Sequence, residues 1–309
     1  MSFQTGAEHM TRTMPMIFAA LCFLGTSALA QDDPVPDMQA QDTPVQNAGA
    51  QDTPDSATPG LPLWEAGLFG LGYTQPAYPG ADDRVSRALG LPYVIYRGRY
   101  LRAERGSVGL RAFKTPRTEL DVGFAASLGS NSSDIAARRG MADLGTMIEF
   151  GPRLKVNLGD VSSGRSDSRL QFPLRAVIDA SHGFVSRGIA FEPQWVTDTR
   201  LPRRWFVSTS LGAIFGDRKL GDTFYAVAPG EATATRASYT ASSGLIALRA
   251  GLLAAHALTP GVRLFFLMRI ESLAGAANRD SPLVRRNTGW AAGVGLSWEL
   301  ARSERRSKE

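Results

Sequence analysis

Apolar and polar residues alternate with a period of two in several long segments of this chain. In one of them, Leu120, Val122 and Phe124 are separated by Asp121 and Gly123. The same alternation covers residues 148–158, 171–179, 262–271 and 289–300. Strict alternation over about ten residues predicts a β-strand with one apolar and one polar face. The pattern therefore predicts an all-β fold.

The spacing of these segments predicts a transmembrane antiparallel up-and-down β-barrel of about twelve strands, with ten to fourteen compatible with the pattern. We assign the strands to residues 64–73, 89–97, 99–105, 107–114, 118–128, 145–158, 168–181, 187–197, 203–215, 237–257, 262–272 and 288–300. In such a barrel the apolar strand faces contact lipid and the polar faces line the lumen.

Connection lengths support the barrel. Outer-membrane barrels join their strands by short periplasmic turns and long external loops. Long predicted connections alternate with short ones: 74–88, 129–144, 216–236 and 273–287 are long, whereas 98, 115–117, 198–202 and 258–261 are short. The connections at 159–167 and 106 do not fit this division, so ten strands is an alternative.

A soluble β-sandwich is the alternative fold, because alternation alone does not distinguish lipid from a protein core. The last strand favours the barrel. Its residues Gly295 to Leu300 have the Gly-x-x-apolar-x-apolar form expected of a closing strand.

The N-terminal region predicts export. Arg12 precedes an apolar run over 14–24, and an Ala-x-Ala site ends at Ala30. This is the form of a cleaved secretory signal peptide over 1–30; the alternative, a membrane anchor, would need about 20 apolar residues. Cys22 is the only cysteine, so the mature chain would contain neither a disulfide nor a cysteine nucleophile.

Two flanking segments differ from the predicted barrel in charge. Residues 31–63 contain aspartates and prolines but no lysine or arginine, and predict a disordered periplasmic tether. From Trp64 onward, Lys and Arg exceed Asp and Glu by 11, and residues 301–309 form a basic tail. Export excludes nucleic acid as the partner of this charge, and favours lipopolysaccharide or peptidoglycan.

Candidate catalytic and metal-binding groups are few. Asp179, Ser181 and His182 are close in sequence, but neighbouring strand residues point to opposite faces, so Ser181 and His182 can pair only if a turn has begun. His256 is interpreted as a side chain at the membrane interface. Asp82 and Asp83 offer too few oxygens for a Ca²⁺ shell and are interpreted as turn residues. We therefore predict a non-enzymatic protein with no catalytic, cofactor-binding or metal-binding residues.

Two end motifs resemble the MipA/OmpV family. The first comprises the opening strand at 64–72 with Tyr78-Pro79-Gly80-Ala81-Asp82-Asp83 and Leu91-Pro92-Tyr93, and the second spans 273–284 with the closing strand. The resemblance covers about residues 64–300 and implies a protein of the outer membrane of a Gram-negative bacterium. It further implies a scaffold linking a lytic murein transglycosylase to a bifunctional penicillin-binding protein. The other role that it implies is a porin-like or osmolarity-linked protein.

Each role predicts its own functional surface. A scaffold would use the periplasmic turns, the 31–63 tether and the tail residues Arg302, Arg305, Arg306 and Lys308. A narrow pore would use charged lumen residues. The candidates are Arg153, Lys155, Arg175, Arg249, Arg263 and Arg269, against Glu149, Asp179 and Glu271. That positive excess would favour anions, although side chains can partly fill a small barrel.

Overall fold

The computed structural model describes residues 62–97, 101–104, 107–110, 113–115, 117–160 and 166–305. Within these ranges, 14 strands form one sheet in which every pairing is antiparallel. The strands are β1 (Trp64–Pro76), β2 (Arg84–Arg97), β3 (Leu101–Glu104), β4 (Ser107–Leu110), β5 (Phe113–Lys114), β6 (Thr118–Ser127), β7 (Met147–Asp160), β8 (Ser166–Asp179), β9 (Val185–Phe191), β10 (Gln194–Leu201), β11 (Trp205–Gly216), β12 (Gly244–Thr259), β13 (Val262–Ser272) and β14 (Thr288–Arg302).

The sheet curves round until its first and last strands are neighbours. β1 pairs with both β2 and β14. From β14 the hydrogen bonding continues strand by strand through β13, β12, β11, β10, β8, β7 and β6 to β5, and from β2 it continues through β3 to β4. β4 lies against β6, and β4 and β5 both fall within the single strand predicted at 107–114. β9 and β10 likewise follow one another between β8 and β11. The architecture is the predicted antiparallel barrel.

The barrel has apolar side chains outside and polar side chains inside. Leu211 is 60% exposed and Val294 is 51% exposed, whereas Ser208 and Gln171 are 3% and 2% exposed. In a soluble protein large apolar side chains are the most often buried, and an outward apolar band is the arrangement of a barrel in lipid. The soluble sandwich is therefore wrong.

Tryptophans mark both ends of the apolar band. Trp290 lies near the start of β14, and Trp298 lies near its end. Trp205 begins β11 and stacks on its cross-strand partner His256, with ring centroids 4.6 Å apart. Aromatic residues at both interfaces are typical of transmembrane barrels. His256 thus lies beside an interfacial tryptophan, as expected of an interface-level side chain.

Among the described residues, no helix combines the length and apolar character needed to cross a membrane. The helices are one α-helix and three short 3-10 helices: α1 (Arg218–Tyr225), Ser132–Asp134, Ala136–Arg138 and Pro229–Glu231.

Several predicted boundaries are wrong. β12 begins at Gly244 rather than 237, because Tyr239 forms a bridge with Val227 inside the preceding connection. The first connection spans 77–83 rather than 74–88, since β1 and β2 pair as far as Pro76 and Arg84. β14 extends past Leu300 to Arg302.

The two ends of the described chain lie together. The amide of Ser303 donates to the carbonyl of Trp64, and the amide of Leu63 donates to the carbonyl of Arg305, both at 2.8 Å. The predicted signal peptide, nearly all of the tether and residues 306–309 lie outside the described residues. The first and last described residues therefore lie at the end of the barrel that carries its short turns, which we call the short-turn end.

Candidate functional site: a capped barrel interior

Four long connections fold together over the opposite end of the barrel. They span 77–83, 128–146, 217–243 and 273–287, and together they are called the cap. Their apolar side chains form one buried cluster with the strand ends, and Ile135, Tyr225, Leu273 and Leu283 are among its most buried members. Because the connections leave from opposite sides of the barrel, the contacts among them cross its mouth.

Two tyrosines bind the cap connections to one another. The hydroxyl of Tyr78 donates to the carbonyl of Leu283 at 2.7 Å, and that of Tyr225 donates to the carbonyl of Pro79 at 3.1 Å. Burial raises the pKa of Tyr78 to about 12 and also raises the pKa of Tyr225. Both phenols therefore stay protonated at neutral pH and keep their donor hydrogens.

Gly80 allows two connections to approach closely. Its φ of +92° is one that L side chains rarely adopt, and a Cβ there would lie 2.9 Å from Cδ2 of Leu273. Its carbonyl accepts from the amides of Arg285 and Arg286 at 2.8 and 3.1 Å. Gly80 and Leu273 belong to the two end motifs of the sequence, so these motifs meet inside the cap.

Two buried arginines cross-link the cap through backbone carbonyls. Arg236 donates through Nη1 to the carbonyls of Ala137 and Arg139, both at 3.0 Å. Arg138 donates to the carbonyls of Ala142 and Phe224 at 3.1 and 3.4 Å. Each guanidinium offers five donors in a fixed plane, so one side chain joins the 128–146 and 217–243 connections. The sequence analysis missed both residues, since nothing in their neighbourhood marks them as buried.

Asp82 and Asp83 take part in the contacts of the cap. The Asp83 carboxylate accepts from the amide of Ala136 at 2.6 Å, and the Asp82 carboxylate lies 3.9 Å from the guanidinium of Arg285. Across the part of the chain that the structure describes, no group of three or more His, Cys, Asp or Glu residues could hold a metal ion.

The Asp179, Ser181 and His182 group forms a turn between β8 and β9. The amides of Ser181 and His182 both donate to Asp179 Oδ1, at 3.0 and 3.2 Å. Asp179 Oδ2 contacts Nδ1 of His182 at 2.8 Å and accepts from Arg187 at 2.6 Å. The Ser181 hydroxyl accepts from the amide of Thr146 at 3.0 Å. These groups hold the turn and the start of β7 together.

Charged side chains of opposite sign form a chain across the barrel interior. Arg175 contacts Glu149 at 2.8 Å and Glu192 at 2.5 Å. Glu192 contacts Arg249 at 2.8 Å, and Arg249 contacts Glu271 at 2.9 Å. Glu271 also contacts Arg269 at 3.0 Å. These six residues are called the lumen chain, and its ion pairs link β7 and β8 to β12 and β13.

A second ion-pair group lies between β6 and β7. Asp121 contacts Arg153 at 2.6 Å and Lys155 at 2.9 Å, and Lys155 also contacts Glu119 at 3.2 Å. The predicted lumen bases are thus largely paired. The sequence analysis did not count Glu119, Asp121 or Glu192 as lumen residues. The predicted positive excess is therefore smaller than the sequence suggested, and three carboxylates face three guanidiniums in the lumen chain.

A cavity of about 320 Å³ lies inside the barrel beneath the cap. Charged residues of the lumen chain line it together with apolar residues of the cap, among them Arg175, Glu192, Arg249, Leu220 and Phe224. Below it, a buried apolar cluster of Leu71, Phe206, Leu253, Ala255 and Leu267 fills one side of the barrel. The interior is accordingly divided into a cap, a charged middle layer and an apolar layer.

Comparison with known proteins places the chain in a family. No curated protein matches it. Among solved structures, it is similar to a NanC porin (10% identity, 75% of this chain and 100% of that chain, TM-score 0.38). It is also similar to outer membrane phospholipase A from Escherichia coli (15% identity, 81% and 94%, TM-score 0.34). Likenesses this distant say nothing about activity.

The family match rests on the region whose structure has just been described. The family described as "MltA-interacting protein MipA" matches residues 68–300, a range that begins within β1, ends within β14 and includes all four cap connections. The resemblance of the two end motifs is thereby confirmed. This chain belongs to the MltA-interacting protein MipA family and is a β-barrel of the outer membrane.

Proposed function

We propose that this protein is a non-enzymatic scaffold for murein enzymes at the periplasmic face of the outer membrane. The observation that carries the proposal is the cap, which covers the mouth that the long connections surround. Long connections face outward in outer-membrane barrels and short turns face the periplasm. The capped end is therefore external, and the short-turn end, where both flanking segments emerge, is free to meet periplasmic partners.

The family name supports the class of partner. It describes a protein that interacts with MltA, and we extend this to a lytic murein transglycosylase and a penicillin-binding protein. In this proposal residues 1–30 are cleaved, residues 31–63 are the tether, and the basic tail adds electrostatic attraction. Lipopolysaccharide is the proposed outer-leaflet contact, supported by Arg84, whose guanidinium lies 3.6 Å from the Trp290 ring centroid at the external end.

The test is retention of purified enzymes by the immobilised mature chain. We expect both a transglycosylase and a penicillin-binding protein to be retained, and deletion of residues 31–60 to reduce retention severalfold with the barrel still folded.

The basic tail is tested by the neutralising substitutions Arg305→Gln, Arg306→Gln and Lys308→Gln, which should also reduce retention. These are better than deleting 301–309, because the backbone of Ser303 and Arg305 is hydrogen-bonded to the start of the barrel. Retention should also fall with salt, since screening acts over about 10 Å at 0.1 M.

The matched control is a variant with three external arginines neutralised, Arg139→Gln, Arg218→Gln and Arg286→Gln, all exposed at the capped end. It should retain the enzymes as well as the wild type does. Failure of the intact protein to retain either enzyme would contradict the scaffold proposal.

A porin-like channel is the second candidate, and the cavity of about 320 Å³ favours it. The charged lining would suit a small polar solute. The cap and the lumen chain oppose this role, because both would have to move before a solute could pass.

A further inference from the structure

We propose that the cavity beneath the cap binds a neutral monosaccharide that enters from the short-turn end. This inference does not depend on the scaffold role. The cavity has a volume of about 320 Å³, at the lower end of the range of roughly 300–1,000 Å³ in which proteins hold small ligands. The volume therefore suits one sugar ring rather than a chain of them.

One wall of the cavity contains a buried amide pair. Gln171 on β8 is 2% exposed, and Gln194 on β10 donates from Nε2 to its Oε1 at 3.4 Å. Both side chains line the cavity, and this is their only hydrogen bond to other described residues. Whichever way the two amides are turned, one amide nitrogen and one amide oxygen remain free. Buried polar groups are normally hydrogen-bonded, so this pair requires a partner inside the cavity.

The hydroxyl of Ser210 belongs to the same wall. Ser210 on β11 lies opposite Val196, two residues along β10 from Gln194, which places it about 7 Å from the level of the amide pair. Its Oγ has no hydrogen-bond partner within the described part of the chain. The residue opposite it on β12 is Gly251, where a Cβ would lie 2.5 Å from this Oγ. Glycine therefore leaves the hydroxyl uncovered, and the wall offers a donor, an acceptor and a hydroxyl over the length of one sugar ring.

The charged residues of the cavity favour an uncharged ligand. Arg175 is paired with both Glu149 and Glu192. Arg249 is paired with Glu192 and with Glu271. An ion that entered the cavity would lose its hydration and could form a new ion pair only by breaking one of these. A neutral ligand avoids this cost.

Apolar side chains provide the second surface that a sugar requires. Leu220 and Phe224 lie four residues apart on one face of α1, and both line the cavity from the cap. Val196 and Ile214 line it from β10 and β11. A pyranose has hydroxyl groups at its edge and C–H groups on its faces, so it can bind the polar wall and contact these side chains at once. A purely apolar ligand would leave the amide pair unsatisfied.

A polar route along β8 leads to the cavity. Inward residues alternate along a strand, and from Gln171 they continue through Arg169 to Asp167. Arg169 is paired with Asp198, and Asp167 is exposed at the short-turn end. The apolar cluster below the cavity is formed by other strands, namely β1, β11, β12 and β13. Entry along β8 requires no passage through the cap.

The experiment measures the binding of radiolabelled sugars to purified full-length protein in detergent by equilibrium dialysis. The neutral probes are glucose, galactose, mannose and N-acetylglucosamine. Glucuronate and glucosamine have the same ring with one negative or one positive charge. The test variants are Gln171→Met, which has a side chain of similar length, and Ser210→Ala. The matched control is Thr209→Ala, which removes a hydroxyl from the neighbouring residue on the exposed outer face.

We expect at least one neutral sugar to bind in a 1:1 ratio and at least tenfold more tightly than either charged sugar. Each test variant should bind it roughly tenfold more weakly, because one hydrogen bond to a neutral group is lost. Thr209→Ala should bind as the wild type does. Thermal unfolding verifies that each variant is folded, and Ser210→Ala decides the outcome if Gln171→Met does not fold. Absence of binding by all four neutral sugars, tighter binding of a charged sugar, or undiminished binding by the folded test variants would overturn the proposal.

Discussion

Replacing Leu211 with arginine is expected to destabilise the barrel by about 2–4 kcal/mol, the cost of a cation on the lipid face at the bilayer midplane. Leu211 lies in the middle of β11 and is 60% exposed on the outer surface. In a soluble protein an exposed leucine accepts arginine at almost no cost. The measurement is the free energy of unfolding in urea for protein folded into lipid vesicles, monitored by tryptophan fluorescence.

The neighbouring residue provides the control. Ser210 points into the interior, where it lines the cavity, and the register places it opposite Gly251, which pairs with Arg269. Ser210→Asn keeps a polar, uncharged side chain on the face that lines the cavity, so we expect a much smaller effect. Gly151 is unsuitable as a lumen control, because a Cβ there would lie 2.1 Å from the carbonyl oxygen of Leu174. Similar losses at Leu211 and Ser210 would show that the outer face does not contact lipid.

Replacing Glu192 with glutamine should cost about 3–5 kcal/mol, because it breaks two buried ion pairs and leaves the three guanidinium groups of the lumen chain with two carboxylates. Glu192 is the central carboxylate of the lumen chain and contacts both Arg175 and Arg249. Its side chain is only 16% exposed. The measurement is again the free energy of unfolding in lipid vesicles.

Glu149→Gln is the matched control for this prediction. Glu149 is the end member of the lumen chain and contacts Arg175, which also binds Glu192. Removing its charge therefore leaves Arg175 with one carboxylate, and the loss should be clearly smaller. If both substitutions cost the same, the six residues do not act as a connected network.

The sequence predicts the barrel well because the side-chain alternation that defines each strand can be read within that strand alone. In β6, β7 and β14 each residue faces lipid or lumen according to its parity, and the period-two pattern records this directly. The alternation within a strand does not show which side chains meet across the barrel. Glu192 lies between β9 and β10, and only the pairing of β8 and β12 with their neighbours brings Arg175 and Arg249 to it. The spacing of these residues along the chain does not predict that they are in contact.

The cap is the part of the structure that the sequence does not predict. The sequence analysis includes residues 237–243 in a strand, yet Tyr239 and Ser242 contact residues of the connections. Asn278 illustrates this, since its side chain binds both the amide and the carbonyl of Ser242 at 2.8 Å. Such contacts join loops far apart in sequence, and each loop alone has too little apolar surface to fix its conformation. The end motifs at 78–83 and 273–284 are the only features of the sequence analysis that fall in these connections and set them apart.

Planar-bilayer conductance of the purified full-length protein tests the central claim most directly, namely that this barrel is closed and acts through its periplasmic face. The cap crosses the mouth that the long connections surround, and the lumen chain crosses the interior below it. We therefore predict a silent bilayer at moderate voltage, from protein that is folded and inserted. Discrete and reproducible openings of the wild-type protein would contradict the account and identify it as a channel.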